Sequence, residues 1–223
     1  MSDDSFIREV EEEIRSDRMK SIWERFGTLI IAAAFGIVVL VAANSAWTWY
    51  TDGQATASGD RFRQALTSAT EGNTDQALEQ LRALQEDGYG QYPVLARMRE
   101  ATLLDNSGDR VAAVEAFDAI AADTFVPAVL RDVARLRAAY IMVDEGTYDD
   151  VANRAEPLAG DDNPMRHGAR EALGLAAWKA QNYGDAKRLF DQIVADEAVP
   201  PTTAQRANVM LDIIRATGEV TEG

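Results

Sequence analysis

Apolar positions along this 223-residue chain fall into two regimes. Between residues 26 and 51 no charged side chain occurs. Beyond residue 60, apolar residues recur every three or four positions among Ala, Glu, Asp, Gln and Arg, the spacing of one buried helix face. No β-rich run with alternating polarity appears there. The pattern predicts an all-α chain.

The uncharged run has a 20-residue core at 27–46, GTLIIAAAFGIVVLVAANSA. As a helix it spans roughly 30 Å, the thickness of a bilayer's hydrocarbon layer. Leu29, Ile30, Ile31, Phe35, Ile37, Val38, Val39, Leu40 and Val41 together favour insertion by on the order of 3–5 kcal/mol. Gly27 opens the segment, and Trp23 before it and Trp47, Trp49 and Tyr50 after it supply interfacial rings at both ends. The expected element is a transmembrane helix over 26–50. Two alternatives share the pattern: a buried helix of a soluble core, and a signal peptide cleaved at Ala43-Asn44-Ser45. The 25-residue charged stretch ahead of the run and the run's length favour an uncleaved anchor.

Basic residues orient such an anchor. Arg15, Arg18, Lys20 and Arg25 precede it closely, whereas only Arg61 follows within fifteen residues. The 1–25 tail is therefore expected in the cytoplasm and the C-terminal bulk on the far side. Ser5 can cap a tail helix that carries Ile7, Val10 and Ile14 as one apolar stripe and Met19, Ile22, Trp23 and Phe26 as a second. Ala32 and Gly36 could let this helix pack closely against another. Residues 51–59, TDGQATASG, read as a short linker, and 218–223 as a disordered end.

Internal periodicity organises the rest. Four segments align without gaps: GNTDQALEQLRAL at 72–84, GDRVAAVEAFDAI at 108–120, GTYDDVANRAEPL at 146–158 and QNYGDAKRLFDQI at 181–193. Five residues into each stand Ala77, Ala113, Val151 and Ala186. Nine in stand Leu81, Phe117, Ala155 and Phe190, and twelve in stand Leu84, Ile120, Leu158 and Ile193. These offsets place one apolar stripe on a helix that begins at a turn. Twelve residues before each small residue lies Ala65, Ala101, Ala139 or Gly174, so two antiparallel helices can approach closely. Pro93, Pro127, Pro164 and Pro200 follow the units, where proline suits the first turn of the next helix. The expectation is a domain over 60–217 built of about four helical hairpins, with a capping helix near 202–217 to cover the last open face.

The spacing resembles the tetratricopeptide repeat: Ala101, Ala113 and Phe117, then Gly174, Ala186 and Phe190, stand where that consensus places small and aromatic residues. Tail, anchor and repeats together resemble the YfgM-type ancillary subunits of the bacterial Sec translocon. The likeness is clearest at the aromatic exit Trp47, Trp49 and Tyr50 and at the Gly-Asn-Thr-Asp-Gln-Ala turn from Gly72. The resemblance implies a single-pass inner-membrane protein with a periplasmic repeat domain. Its implied partners are translocon subunits, emerging exported chains and periplasmic chaperones, beside membrane lipid, and its implied role is adaptor or co-chaperone. A periplasmic-facing scaffold for envelope assembly or cell division is the alternative.

Composition narrows the chemistry. There is no cysteine and one histidine, His167, which the sequence gives no partner cluster and which reads as structural or surface. Asp149-Asp150 and Asp161-Asp162 are explained by turns and helix capping. No phosphate-binding glycine loop or calcium-loop pattern occurs. An enzyme, a cofactor, a metal and a small-molecule substrate are therefore not expected. From residue 52 onward 17 Lys/Arg face 29 Asp/Glu, a surface that repels phosphate, so nucleic acid is excluded as a partner. Net charge of −15 reads first as a solubility device, with a basic partner as the alternative. Binding by such a repeat is expected on its concave face, at Phe62, Met98, Thr102, Leu136, Tyr140, Glu171 and Trp178. Packing between repeats is the competing role for each of them.

Overall fold

Helix α1 runs from Asp3 to Thr70. The computed structural model describes residues 3–218, excluding the side chains of residues 3–19, 21, 22 and 30. The expected Ser5 cap, the stripe of Ile7, Val10 and Ile14, the side chains of Met19, Ile22 and Ile30, and the C-terminal end from 219 lie outside the described residues. The chain divides into two compact units, the first ending at Thr56 and the second starting at Ala57.

In the first unit the apolar run is helical, and its most apolar 18-residue window has a mean hydropathy of 2.6 with only 6% of its residues buried. Leu29, Ile31, Phe35, Ile37, Val38, Val39, Leu40, Val41, Trp47 and Trp49 are all between 49% and 81% exposed. Among the described residues no core therefore holds them, and the helix is long and apolar enough to cross a membrane. Gly27 lies under the Trp23 ring. Thr48 turns its hydroxyl back onto the carbonyls of Asn44 and Ser45, 3.1 and 2.9 Å away, so that polar group is satisfied within its own helix.

Residues 51–59, expected as a linker, are helical as part of α1. Gly53 and Gly59 each cost a helix about 0.5–1 kcal/mol relative to Ala. The segment contains no proline, however, and is continued by helix on both sides, so no new nucleus is needed. Gly59 lets the Tyr92 hydroxyl approach closely: a Cβ there would come 2.7 Å from it, so the Tyr92 ring would have to shift.

The second unit continues with α2 (Thr74–Asp87), α3 (Tyr92–Asn106), α4 (Arg110–Ala122), α5 (Ala128–Glu145), α6 (Tyr148–Ala155), α7 (Arg166–Lys179), α8 (Tyr183–Val194) and α9 (Pro201–Thr217). A 3-10 turn at Glu156–Leu158 follows α6, where Pro157 stops the α-helix. No strand occurs among the described residues. The C-terminal part of α1 pairs with α2, and α3/α4, α5/α6 and α7/α8 form three more hairpins. Four hairpins and a final helix are what the periodicity predicts.

Helix pairing follows the registers read from the sequence. Ala77, Ala113, Val151 and Ala186 are fully buried, as are Leu81, Phe117, Ala155 and Phe190, and then Leu84, Ile120, Leu158 and Ile193, none more than 1% exposed. Ala65, Ala101 and Ala139 on the facing helices are also at 0%. Four apolar clusters succeed one another along the second unit, from Ala65–Leu81–Leu84 to Phe190–Leu211–Ile214. Each repeat thus buries its stripe against its neighbours, and α9 closes the last cluster with Ala207, Leu211 and Ile214.

The turns between paired helices differ in how they are made. Gly72 and Gly108 take the left-handed conformation, with φ of +85° and +89°. At the same register Gln181 adopts φ +61°, a conformation that strains a residue bearing a Cβ. Gly146 is instead extended, and a Cβ there would meet Met142 and Asp150 within about 3 Å. The turn it opens is closed by a capping box between Thr147 and Asp150. Pro93 and Pro201 sit in the first turns of α3 and α9, and Pro127 and Pro200 occupy the caps of α5 and α9. Pro164 lies ahead of the cap of α7, in a loop whose backbone is turned by Asn163 bonding to the Met165 amide at 2.7 Å.

Candidate protein-binding face

Helices α3, α5 and α7 carry the small first-helix positions Ala101, Ala139 and Gly174, and α9 follows them: α5 packs on α7, and α7 on α9. A cavity of about 470 Å³ opens on this face. Its lining includes Asp105 from α3, Arg110 and Phe117 from α4, Leu136, Arg137, Tyr140 and Ile141 from α5, and Arg206 from α9. Residues from α3 and α9, two hairpins apart, can share one cavity only if the face between them is concave. A second cavity, about 530 Å³, lies between α7 and α9 and is lined by Leu175, Val209 and Met210 beside Glu171 and Arg206.

Glu171 is the hinge of the arrangement. Its carboxylate is buried and accepts two bonds from Arg206, from Nε at 2.5 Å and from Nη2 at 2.7 Å. The Tyr140 hydroxyl donates a third, at 3.0 Å. Charge-assisted forked pairing of this kind satisfies the buried acid and fixes α5, α7 and α9 together. Burial, then the charge of Glu171 and the hydrogen bond to it, raise the Tyr140 phenol well above its ordinary range. Because the folded chain resists ionising this phenol more than an unfolded chain does, its contribution is intact below about pH 10 and is lost as pH rises through the folded value. Tyr140→Phe is expected to lower stability at neutral pH by about 0.5–1.5 kcal/mol. The gap between the two proteins should then narrow in alkali, read from urea midpoints taken across that range.

The residues expected from sequence distribute unevenly. Leu136, Tyr140 and Glu171 are brought together, the first two lining the 470 Å³ cavity. Met98 and Thr102 lie one repeat earlier on α3, Met98 packed partly against the core and Thr102 donating to the Met98 carbonyl at 2.9 Å. Phe62 is half-buried against Tyr92, ring centroids 6.1 Å apart. Trp178 leans on Tyr183 at 4.9 Å, at the edge of the last apolar cluster, and lines neither cavity. Arg137, Ile141 and Val133 were missed. The signal was there, since Val133, Leu136, Arg137, Tyr140 and Ile141 form one helical stripe.

Outside this face the polar clusters have structural partners. His167 is buried with Nε2 2.8 Å from Asp196, which also accepts from Arg166 at 2.7 Å and from the Ala198 amide. The Arg166 bond, then that amide, then His167 hold the Asp196 carboxyl far below the usual carboxylate range. Asp161 pairs with Arg170, and Asp150 belongs to the capping box. Among the described residues no group of three or more His, Asp or Glu is placed to hold a metal ion.

A concave face of stacked helical hairpins, closed by a terminal helix, defines a repeat scaffold of the protein-binding kind, a fold that typically serves interaction rather than catalysis. The family model described as a tetratricopeptide repeat-like domain matches residues 20–161, well over half of the chain, and the chain belongs to this family. The match begins ahead of the apolar run and ends just past the third hairpin. No curated protein and no solved structure matches the chain.

Proposed function

We propose that the chain is a membrane-tethered protein-binding adaptor associated with the Sec translocon. On this reading the apolar part of α1 crosses the inner membrane with the N-terminus in the cytoplasm. The repeat domain lies in the periplasm and passes exported chains to chaperones through its concave face. Support comes from the resemblance of tail, anchor and repeats to the YfgM-type subunits and from the asymmetry of basic residues around the apolar run. The observation that carries the binding role is the cavity beside Leu136 and Tyr140, which combines an apolar floor with a charged rim.

A photocrosslinking residue at Leu136, with a control at exposed Asn153 on α6, tests this in intact cells. Labelling of translocon subunits or nascent exported chains from position 136 alone is the expected result. Capture of cell-division or wall-building proteins would replace export with the scaffold role, and labelling no stronger than the control would remove the binding face itself. A reporter fused after Gly223 is expected outside the cytoplasm, and a cytoplasmic signal would overturn the topology.

A further inference from the structure

Two of the loops that join one hairpin to the next share a sequence and a geometry. Asp123-Thr124-Phe125-Val126-Pro127 leads into α5, and Asp196-Glu197-Ala198-Val199-Pro200 leads into α9. In each, the aspartate side chain accepts from the amide two residues on, that of Phe125 at 3.0 Å and that of Ala198 at 2.9 Å. Its carbonyl accepts from the valine amide at 3.1 Å in both loops. An arginine, Arg97 or Arg166, holds the carboxylate at 2.7 Å. The valine packs against an apolar cluster and the proline caps the helix. What the two loops present to solvent differs. Where the α9 loop and helix have Glu197, Ala198 and Thr202, the α5 loop and helix have Thr124, Phe125 and Val129. Phe125 is 97% exposed, and Val129, in the first turn of α5, is exposed as well. Isolated exposed valines are ordinary, but a phenylalanine held out in water forgoes the burial of roughly 150–250 Å². The α9 loop forms the same turn without it, so the fold does not account for Phe125.

The α4–α5 loop lies on the edge by which the chain enters the second unit. Helices alternate in direction from the end of α1 through α5, so the α2–α3 and α4–α5 loops return to the end at which Ala57 starts. The Tyr89 amide donates to the Ser58 hydroxyl at 2.9 Å, and Arg61 pairs with Asp87 at 2.7 Å, fixing the α2–α3 loop beside that entry. Ala57 is seven residues beyond Tyr50, the last aromatic ring after the apolar run, and seven residues span at most about 25 Å. A domain tethered this closely meets a bilayer surface at high effective concentration, so a contact too weak to recruit a free domain suffices. Charge on this edge is graded. No charged residue occurs from Thr124 to Leu130, whereas Asp161, Asp162 and Glu197 stand in the loops of the two hairpins farthest along the chain from the entry.

Resting on the membrane-tethered reading above, we propose that the α4–α5 loop is a second, reversible contact with the lipid surface. Phe125 and Val129 enter the headgroup layer of the bilayer that α1 crosses, and Asp123 stays in water, paired with Arg97. Burial of apolar surface drives the contact, and the lack of charge from 124 to 130 spares it repulsion by anionic lipid.

The test uses the full chain, which has no cysteine of its own, reconstituted into vesicles of phosphatidylethanolamine and phosphatidylglycerol. Thr124→Cys and Val111→Cys each carry a nitrobenzoxadiazole probe, Val111 being exposed but placed at the start of α4, on the opposite edge. Lipids bearing a nitroxide near the headgroup are expected to quench the probe at 124 about threefold more strongly than the probe at 111. Phe125→Ala with Val129→Thr copies Ala198 and Thr202 and leaves the turn intact. It should bring quenching at 124 down to the level at 111. Equal quenching at the two positions would overturn the proposal, and so would quenching at 124 that survives the double substitution, since mere nearness does not depend on the ring. A probe at 124 shielded from water but not quenched by lipid would assign the loop to a second copy of the chain instead. Co-flotation with vesicles after an alkaline wash keeps two failures apart. A chain that is retained but unquenched at 124 means that the loop contact is wrong and the tether stands. If the chain is not retained, the tether itself is wrong.

Discussion

Replacing Phe190 with Ala is expected to lower the stability of the repeat domain by about 3–5 kcal/mol. The ring is fully buried among Ala186, Ile193, Ala207, Leu211 and Ile214, where α7, α8 and α9 meet. It packs on Gly174, and a Cβ at that position would come 2.9 Å from two ring carbons. Gly174 is therefore small because Phe190 is large. Gly174→Ala alone should destabilise by about 1–3 kcal/mol through overpacking, despite the better helix propensity of Ala. In the Phe190→Ala background the same change meets open space, and the gain in propensity, about 0.5–1 kcal/mol, should emerge. The sign of the Gly174→Ala effect thus reverses between backgrounds, a coupling expected only of residues in contact. Urea titrations of the four proteins followed by circular dichroism read this directly. Additive effects would mean that the two positions do not pack as described.

This pair shows why so much of the fold was legible. A core built from short local hairpins repeats its demand for a small residue facing a large one, and the demand is written at fixed offsets of twelve and sixteen residues. Ala65 facing Leu81, Ala101 facing Phe117 and Gly174 facing Phe190 repeat it, and all are buried. Helix starts were less legible. Gln181 holds a left-handed turn that glycine holds in the first two hairpins, and Pro164 stands outside the helix it was expected to open. At Gln181 the pairing of α7 with α8 overrides local preference, and at Pro164 the turn made by Asn163 precedes the helix. Residues 51–59 are helical, since small polar residues do not end a helix that continues on both sides, and the boundary between the two units falls within them. The binding face was legible only in part. Glu171 and Arg206 are 35 residues apart, and His167 and Asp196 are 29 apart. Periodicity says which side of a helix faces outward, but not which charges on different helices meet. Glu171, expected as a partner contact, has its carboxylate engaged by Arg206 and Tyr140, while Arg137 beside it was overlooked.

The double substitution Phe35→Arg and Val38→Arg is expected to move the protein from the membrane to the soluble fraction. Both residues lie near the middle of the 27–46 segment, both are more than 60% exposed, and no side chain of the described chain shields them. Insertion of the natural segment is favoured by on the order of 3–5 kcal/mol, whereas each central arginine opposes it by about 2.5–3.5 kcal/mol. One arginine brings the balance near zero, and two place it clearly against insertion. Alkaline carbonate extraction of cells expressing the unaltered, singly and doubly substituted chains should show retained, divided and released protein in that order. The unaltered chain also decides between anchor and cleaved signal. An anchor predicts a membrane-retained product of 24.4 kDa, whereas cleavage after Ser45 predicts a soluble one shorter by 45 residues even without substitution. Release of the unaltered, full-length protein would exclude both. The exposed apolar face of α1 would then need a protein partner to cover it, and the adaptor would lose its tether.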